Sequence, residues 1–207
     1  MKRLAILGAS GHGKVVAEAA LAAGWDAVDF YDDAWPGKRR IGKWVISGDT
    51  TALLKDPGGF DGVIVAIGNN AIRMTKIQQL QAADLLPATI VHPAAVISAS
   101  ARLGEGTVVM AGVVVNADTV VGAGAILNTS CSIDYDCELG EGVHISPGAH
   151  LGGQVRIGDQ SWVGIGASIK QGTTVGSAVM IAAGAAVIDD IADNLTVAGV
   201  PAKKLVR

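Results

Sequence analysis

Three short runs in the first part of the chain carry groups that can grip a phosphorylated ligand. They are Gly8–Lys14 (GASGHGK), Asp32-Asp33 and Gly68-Asn69-Asn70. A helix opening at the first run would aim its free backbone N–H groups at an anion and so suit a pyrophosphate. A carboxylate at a strand end can accept hydrogen bonds from a ribose or a base. The candidate ligand residues are therefore Gly11, His12, Gly13, Asp32, Asp33 and Gly68. The loop reads G-x-x-G-x-G and not G-x-G-x-x-G, which argues against a dinucleotide cofactor. A nucleotide-linked ligand and a purely structural tight turn remain open. Further on, His144 and His150 lie six residues apart. A zinc site needs a third histidine; beyond this pair the later part of the chain has only His92, far upstream, so no metal is expected. His150 reads as a surface or corner residue.

These runs need a frame. Arg3–Leu7 reads as a strand, Val15–Ala23 as a helix and Ala27–Tyr31 as a second strand. Val63–Ile67 reads as another strand, Ile72–Ala83 as a helix, and Ala88–Val91 as the lead into the second part of the chain. Strand–helix–strand order implies a small parallel sheet, whose ligands bind at the carboxyl ends of its strands. Residues 1–88 are expected to form this Rossmann-like α/β domain. Asp32 and Asp33 are expected to serve the ligand and not the fold. Lys38-Arg39-Arg40 reads as a solvated loop, with phosphate binding as the weaker option.

Residues 89–207 obey a different rule. Every sixth residue from Ile97 to Val187 is Leu, Ile or Val, sixteen positions without a miss. A small residue often stands two places before, as at Cys131, Cys137 and Ala149, and a glycine often comes next, as at Gly104, Gly122 and Gly140. A hexapeptide repeat of this kind predicts a parallel β-helix. Three repeats make one triangular coil, so residues 18 apart stack and the run gives about five coils. Glycine is expected to serve the turn, where a Cβ can be costly. The two cysteines read as small core residues.

Composition agrees. Half of the 207 residues are apolar, yet there are only two Phe and two Tyr, which suits a narrow aliphatic interior. A net charge of −3 gives no basic face for nucleic acid. The apolar start is too short for a signal peptide and no segment approaches a membrane span, so a cytoplasmic protein is expected.

Taken together, GASGHGK, VAIGNN and NTSCSIDYDCELGEGVHISPGAHLGG, with the closing AGVPAKKLVR (Ala198–Arg207), resemble the PglD/NeuD-type sugar acetyltransferases of bacterial glycan synthesis. The resemblance covers almost the whole chain. It implies a left-handed β-helix, a homotrimer with active sites between subunits, and acetyl-CoA as co-substrate. It points to the branch that acetylates the 4-amino group of nucleotide-linked 4-amino-4,6-dideoxysugars; sialic-acid-type O-acetylation is the other enzyme reading. It places the nucleotide against Gly11, His12, Gly13, Asp32, Asp33 and Gly68, and sets Asn128 facing the sugar. It brings His144, Gly153, Ile165 and Ala183 to acetyl-CoA; for Lys203 and Lys204 a contact to its phosphates and a solvated end are both open.

One position departs from the family pattern. Where I-[DE]-H-[DE]-C carries a general-base histidine, this chain has Ile133-Asp134-Tyr135-Asp136-Cys137. Asp136 matches the acid that would orient the missing imidazole. An imidazole ionising near ~6.5 suits proton removal at neutral pH, and a phenol near ~10 does not. Three readings are open: a weakened or altered enzyme, an enzyme in which His144 or a water takes the proton, or a non-catalytic trimeric nucleotide-sugar-binding protein.

Overall fold

The computed structural model describes residues 1–56, 59–85 and 87–205; Val206 and Arg207 of the closing motif lie outside them. The first part is a five-stranded sheet in the order β3-β4-β2-β1-β5. Its strands are β1 (Arg3–Leu7), β2 (Ala27–Tyr31), β3 (Arg40–Ile41), β4 (Trp44–Gly48) and β5 (Gly62–Val65). All pairings are parallel except β3 with β4. The chain leaves β1 for β2 on one side and later returns to β5 on the other. The gap between their carboxyl ends is thus a topological switch point, where such sheets bind ligands.

Three helices cover the sheet: α1 (Gly11–Ala22), α2 (Thr50–Lys55) and α3 (Asn70–Gln81). Helix α1 opens at Gly11, four residues ahead of the expected start, because Ser10 is already extended and the chain turns directly from it. Helix α3 opens at Asn70, two residues early, because Asn69 is its N-cap and accepts from the Ile72 N–H. The last strand ends at Val65, short of the expected Ile67. The unexpected hairpin β3–β4 absorbs the basic run. Arg40 begins β3, and the Lys38 Nζ donates to the Ala9 carbonyl of the glycine loop, so this run is not simply a solvated loop.

From Val96–Ile97 to Ala186–Val187 run sixteen two-residue strands, one per expected repeat. They stack with a register of 18 residues into three parallel sheets, as in Val114↔Ser132 and Val115↔Ile133. This is a left-handed parallel β-helix. The first face carries Ile97, Val115, Ile133 and Leu151; the second Leu103, Val121, Leu139 and Ile157; the third Val109, Leu127, Ile145 and Val163. These aliphatics fill the interior, each contributing roughly 1.5–3 kcal/mol where burial is complete. Cys131 and Cys137 are free and buried among them.

Glycine plays a different part from the one expected. Left-handed backbone recurs every sixth residue from Gly106 to Gly184, but at the third position after each aliphatic. Asp118, Ser130, Asp136, Gln154, Gln160 and Ala178 adopt it as well as glycine. The glycines next to the aliphatics serve another purpose. A Cβ at Gly122 would lie 2.6 Å from the Gly140 carbonyl carbon of the next coil, and one at Gly158 2.5 Å from the Ser177 amide. These glycines permit close stacking of coils, not an unusual turn.

Candidate active site

Two clefts lie near the junction of the two parts, and Gly68 of the first neighbours His144 of the second. The first, about 330 Å³, lies at the switch point and is lined by Gly8, Ser10, Asp32, Asp33, Gly68, Ile72 and Lys76, among others. Helix α1 points its amino end here. Ser10 provides no side-chain cap and no acid sits in the first turn. The amides of Gly11, His12 and Gly13 are therefore free for an anion. Gly13 has a second reason to be glycine: a Cβ there would run into the Gly8 carbonyl and the Phe30 ring. Its backbone can still face a ligand, but its side-chain position belongs to the core.

The two aspartates do structural work as well. Asp32 accepts from the Ala9 N–H (2.7 Å) and the Ala34 N–H (2.9 Å), fixing the glycine loop. Asp33 accepts from the Thr50 N–H and hydroxyl and from the Lys76 Nζ at 2.6 Å. Partial burial pushes the Asp33 carboxyl up, but these hydrogen bonds and the Lys76 charge outweigh it and hold the group at about 2. The expectation that Asp33 takes no part in the fold is thus corrected, since it ties the end of β2 to α2 and α3 while still lining the cleft. Nothing in the local sequence pattern marks Lys76 as a member of this cleft, or Thr50 as a partner of Asp33.

The second cleft, about 450 Å³, opens on the third face. Asn128, His144, Ser146, Trp162, Ile165, Met180 and Ala183 line it. Here 18-residue stacking builds a ladder. His144 lies beneath Trp162 with ring centroids 4.4 Å apart, and Met180 comes one coil on. Trp162 Nε1 donates to the Ser146 hydroxyl at 2.8 Å, and Asn128 Nδ2 lies 3.4 Å from His144 Nε2. Trp162 is ambiguous in the sequence; its distance from His144, one full coil, is the usable signal.

His144 of the second cleft has Gly68 of the first cleft and His12 as neighbours. Burial first, then the positive charge of Arg73, pushes His12 down to about 4. Burial, Arg73 and His12 push His144 down to about 3. The Gly68 carbonyl lies close enough to oppose this slightly, yet His144 Nδ1 and His12 Nε2 both lack a hydrogen-bond partner. Two neutral imidazoles, each with a buried nitrogen that lacks a partner, thus lie close together at the β-helix cleft. His92 and His150 are elsewhere: the former accepts from the Ala94 N–H, and the latter is exposed beside Ser132.

Tyr135, Asp136 and Gly153 are not in this cleft. They occupy the corner between the first and second faces, across the coil from the third. Tyr135 is about half exposed, and its ring lies over Gly153 one coil above, where a Cβ would stand 2.5 Å from the phenol carbon. The Tyr ring therefore covers the backbone expected to meet acetyl-CoA. Asp136 is exposed and lines an open groove of about 790 Å³ on the second face with Arg102, Glu138 and Arg156. That groove is larger than either cleft, but it is lined by neither His12 nor His144. Lys203 and Lys204 lie exposed on the last strand, and Lys203 Nζ sits 3.6 Å from Asp189. Among the described residues no group of three or more His, Cys, Asp or Glu could hold a metal, and no helix is long and apolar enough to cross a membrane.

Comparison with known proteins fits this arrangement. Residues 3–80 match the family model described as PglD N-terminal domain. The solved acetyltransferase domain of PglB from Neisseria gonorrhoeae FA1090, in complex with acetyl coenzyme A, is 45% identical with a TM-score of 0.94, covering 99% of each chain. The chain belongs to the PglD/NeuD-type family. A second member, PerB from Caulobacter crescentus in complex with CoA and GDP-perosamine, is 35% identical with a TM-score of 0.94, covering 100% of this chain and 98% of that one. WeeI from Acinetobacter baumannii AYE shares the fold at 24% identity, with a TM-score of 0.87 over 99% of this chain and 100% of that one. Among curated proteins nothing matches.

Proposed function

We propose that this protein transfers acetyl from acetyl-CoA to the 4-amino group of a nucleotide-linked 4-amino-4,6-dideoxysugar. The observation that carries the reading is that Gly68 of a switch-point cleft neighbours His144 of a β-helix cleft, with His12 close by. Residues 1–88 hold the nucleotide. The α1 amides of Gly11, His12 and Gly13 take the pyrophosphate, and Asp32, Asp33 and Lys76 lie at the base and ribose end. Residues 89–207 hold acetyl-CoA, with Asn128 toward the sugar and His144, Ile165 and Ala183 along the thioester arm. PerB, bound to CoA and GDP-perosamine, supports a 4-amino sugar over a hydroxyl acceptor.

The working unit is a homotrimer. One chain puts Asn128, His144, Ile165 and Ala183 at one region of its coil and Tyr135, Asp136 and Gly153 at another. Both sets can face one acetyl-CoA only if a neighbouring copy supplies the second. Sedimentation showing a stable monomer at micromolar concentration would remove this part of the reading.

The amine nitrogen attacks the thioester carbonyl, the C–S bond breaks, and the CoA sulfur leaves and is protonated. The nitrogen must lose one proton. His144 at about 3 is a hydrogen-bond partner and a weak base, and Tyr135 offers a phenol where an imidazole would serve. With neither side chain a strong base, the proton passes to water. Thiol release from acetyl-CoA, assayed with a panel of UDP- and GDP-linked amino sugars and their hydroxyl counterparts, tests this. Turnover with hydroxyl acceptors alone would shift the reading to O-acetylation. Binding without turnover would leave a sugar-nucleotide binding protein.

A further inference from the structure

Arg73 has no exposed surface, and it is the largest side chain so enclosed. Each of its five N–H donors can be matched to an acceptor. Nε donates to Gly124 O (2.7 Å), Nη2 to Gly142 O (2.7 Å) and to Asn70 Oδ1 (2.8 Å), and Nη1 to Ile67 O (2.9 Å) and Gly68 O (3.2 Å). The acceptors are uncharged, and apart from Asn70 they fall into two groups. Ile67 and Gly68 line the nucleotide cleft. Gly124 and Gly142 are left-handed corner residues of successive coils, each two places before a strand that leads to the other cleft: Ile126-Leu127 into Asn128, and His144-Ile145. Asn70 extends the clasp one coil further, its Nδ2 donating to Gln160 O (2.8 Å) and Ser161 O (3.3 Å).

An aliphatic side chain could fill this space without the cost of burying a charge. The guanidinium adds direction, since a planar fork with its donors engaged fixes both groups of carbonyls relative to each other. We propose that Arg73 is a positioning residue for the acetyl transfer, holding the nucleotide cleft at a fixed distance and angle from the Asn128–His144 cleft. The proposal rests on the acetyltransferase reading. Its physical content is that each cleft binds its own ligand without Arg73, while the reacting atoms no longer meet. A misplacement of about 1 Å between reactants can cost on the order of 10²-fold in rate.

The test uses Arg73→Met, Arg73→Lys and Asn70→Ala in the full chain, with dissociation constants for CoA alone and for the nucleotide sugar alone measured beside steady-state kinetics. The expected result for both Arg73 variants is a kcat lower by roughly 10- to 100-fold, with each dissociation constant and KM within about threefold of wild type. Asn70→Ala loses only the bonds of Asn70 to Arg73, Gln160 and Ser161, and should show the same split with a smaller kcat loss, about three- to tenfold. If the Arg73 variants do not fold, Asn70→Ala decides alone. A wild-type kcat in the folded variants overturns the role. So does a collapse of both dissociation constants in step with kcat, which would make Arg73 a support of the fold only. A wild-type protein with no turnover overturns the acetyltransferase reading and the role together, whereas an active wild type with equally active variants overturns the role alone.

Discussion

Acid should weaken this protein sooner than its carboxylates alone would require. His12 and His144 are uncharged in the folded chain, held at about 4 and about 3, and both return to about 6.5 on unfolding. Between pH 6.5 and 4 the unfolded chain therefore binds up to two more protons than the folded one. Stability rises with pH in that window and falls as acid is added. Each histidine contributes up to about 1.4 kcal/mol per pH unit, so moving from pH 6.5 to 5 removes about 3 kcal/mol. Below pH 3 the loss approaches about 8 kcal/mol, comparable to the roughly 5–15 kcal/mol of a whole domain. Asp33, at about 2, adds a further loss only below the ordinary carboxylate range. Urea unfolding at pH 7, 6 and 5 and constant protein concentration measures the slope. His144→Gln and His12→Gln should each remove about half of the extra slope seen in wild type. An unchanged slope in both variants would mean that these imidazoles are solvated, and would refute the reasoning from burial and the Arg73 charge.

Three other outcomes are expected. Tyr135→His places an imidazole beside Asp136 and should raise kcat by roughly 10²- to 10⁴-fold, with little change in KM and a new limb in the pH profile near a histidine pKa. A gain below about tenfold would show that the amine's own ionisation, and not the missing imidazole, controls the rate. Asp33→Ala should weaken nucleotide-sugar binding and also lower the melting temperature, because Thr50 and Lys76 lose their acceptor; a melting curve identical to wild type would contradict the structural tie. Gly13→Ala should destabilise the fold by about 1–3 kcal/mol through the clash with the Gly8 carbonyl and Phe30, measured by denaturant unfolding; a neutral result would mean α1 can shift freely.

The β-helix is legible in the sequence because its rule is local and repeated. Ile97 to Val187 each sit in a strand for the same steric reason, and one aliphatic in six is enough to show it. The switch-point cleft is legible through Asp32, Asp33 and Gly68, which end strands in a recognisable order. Lys76, Thr50 and Arg73 are not. Lys76 reaches Asp33, 43 residues away, Thr50 reaches Asp33, 17 away, and Arg73 reaches Gly124 and Gly142, 51 and 69 away, and no periodicity encodes such distances. The helix starts at Gly11 and Asn70 are hidden because the apolar pattern begins later than the backbone turn. The glycines after the aliphatics are plain in the sequence but their purpose is not: a sequence shows where a Cβ is absent, not whether dihedral freedom or a neighbouring coil requires it. Tyr135 stands out as the departure from the family motif, but its place on a corner away from His144 is visible only with the three faces assembled.

Stacking by 18 residues makes the β-helix a graduated scale as well as a scaffold. The nucleotide cleft is anchored to particular coils by α3, while the Asn128–His144–Trp162 ladder occupies fixed rungs of the same stack. An insertion of six residues below the ladder would turn it by a third of a revolution onto another face. An insertion of eighteen would keep the face and lift the ladder by one rung, about 4.8 Å. The span between the two ligands is therefore quantised. A longer or shorter sugar cannot be met by gradual drift of the coils; it has to be met by the loops of the α/β part or by a whole turn of the spiral.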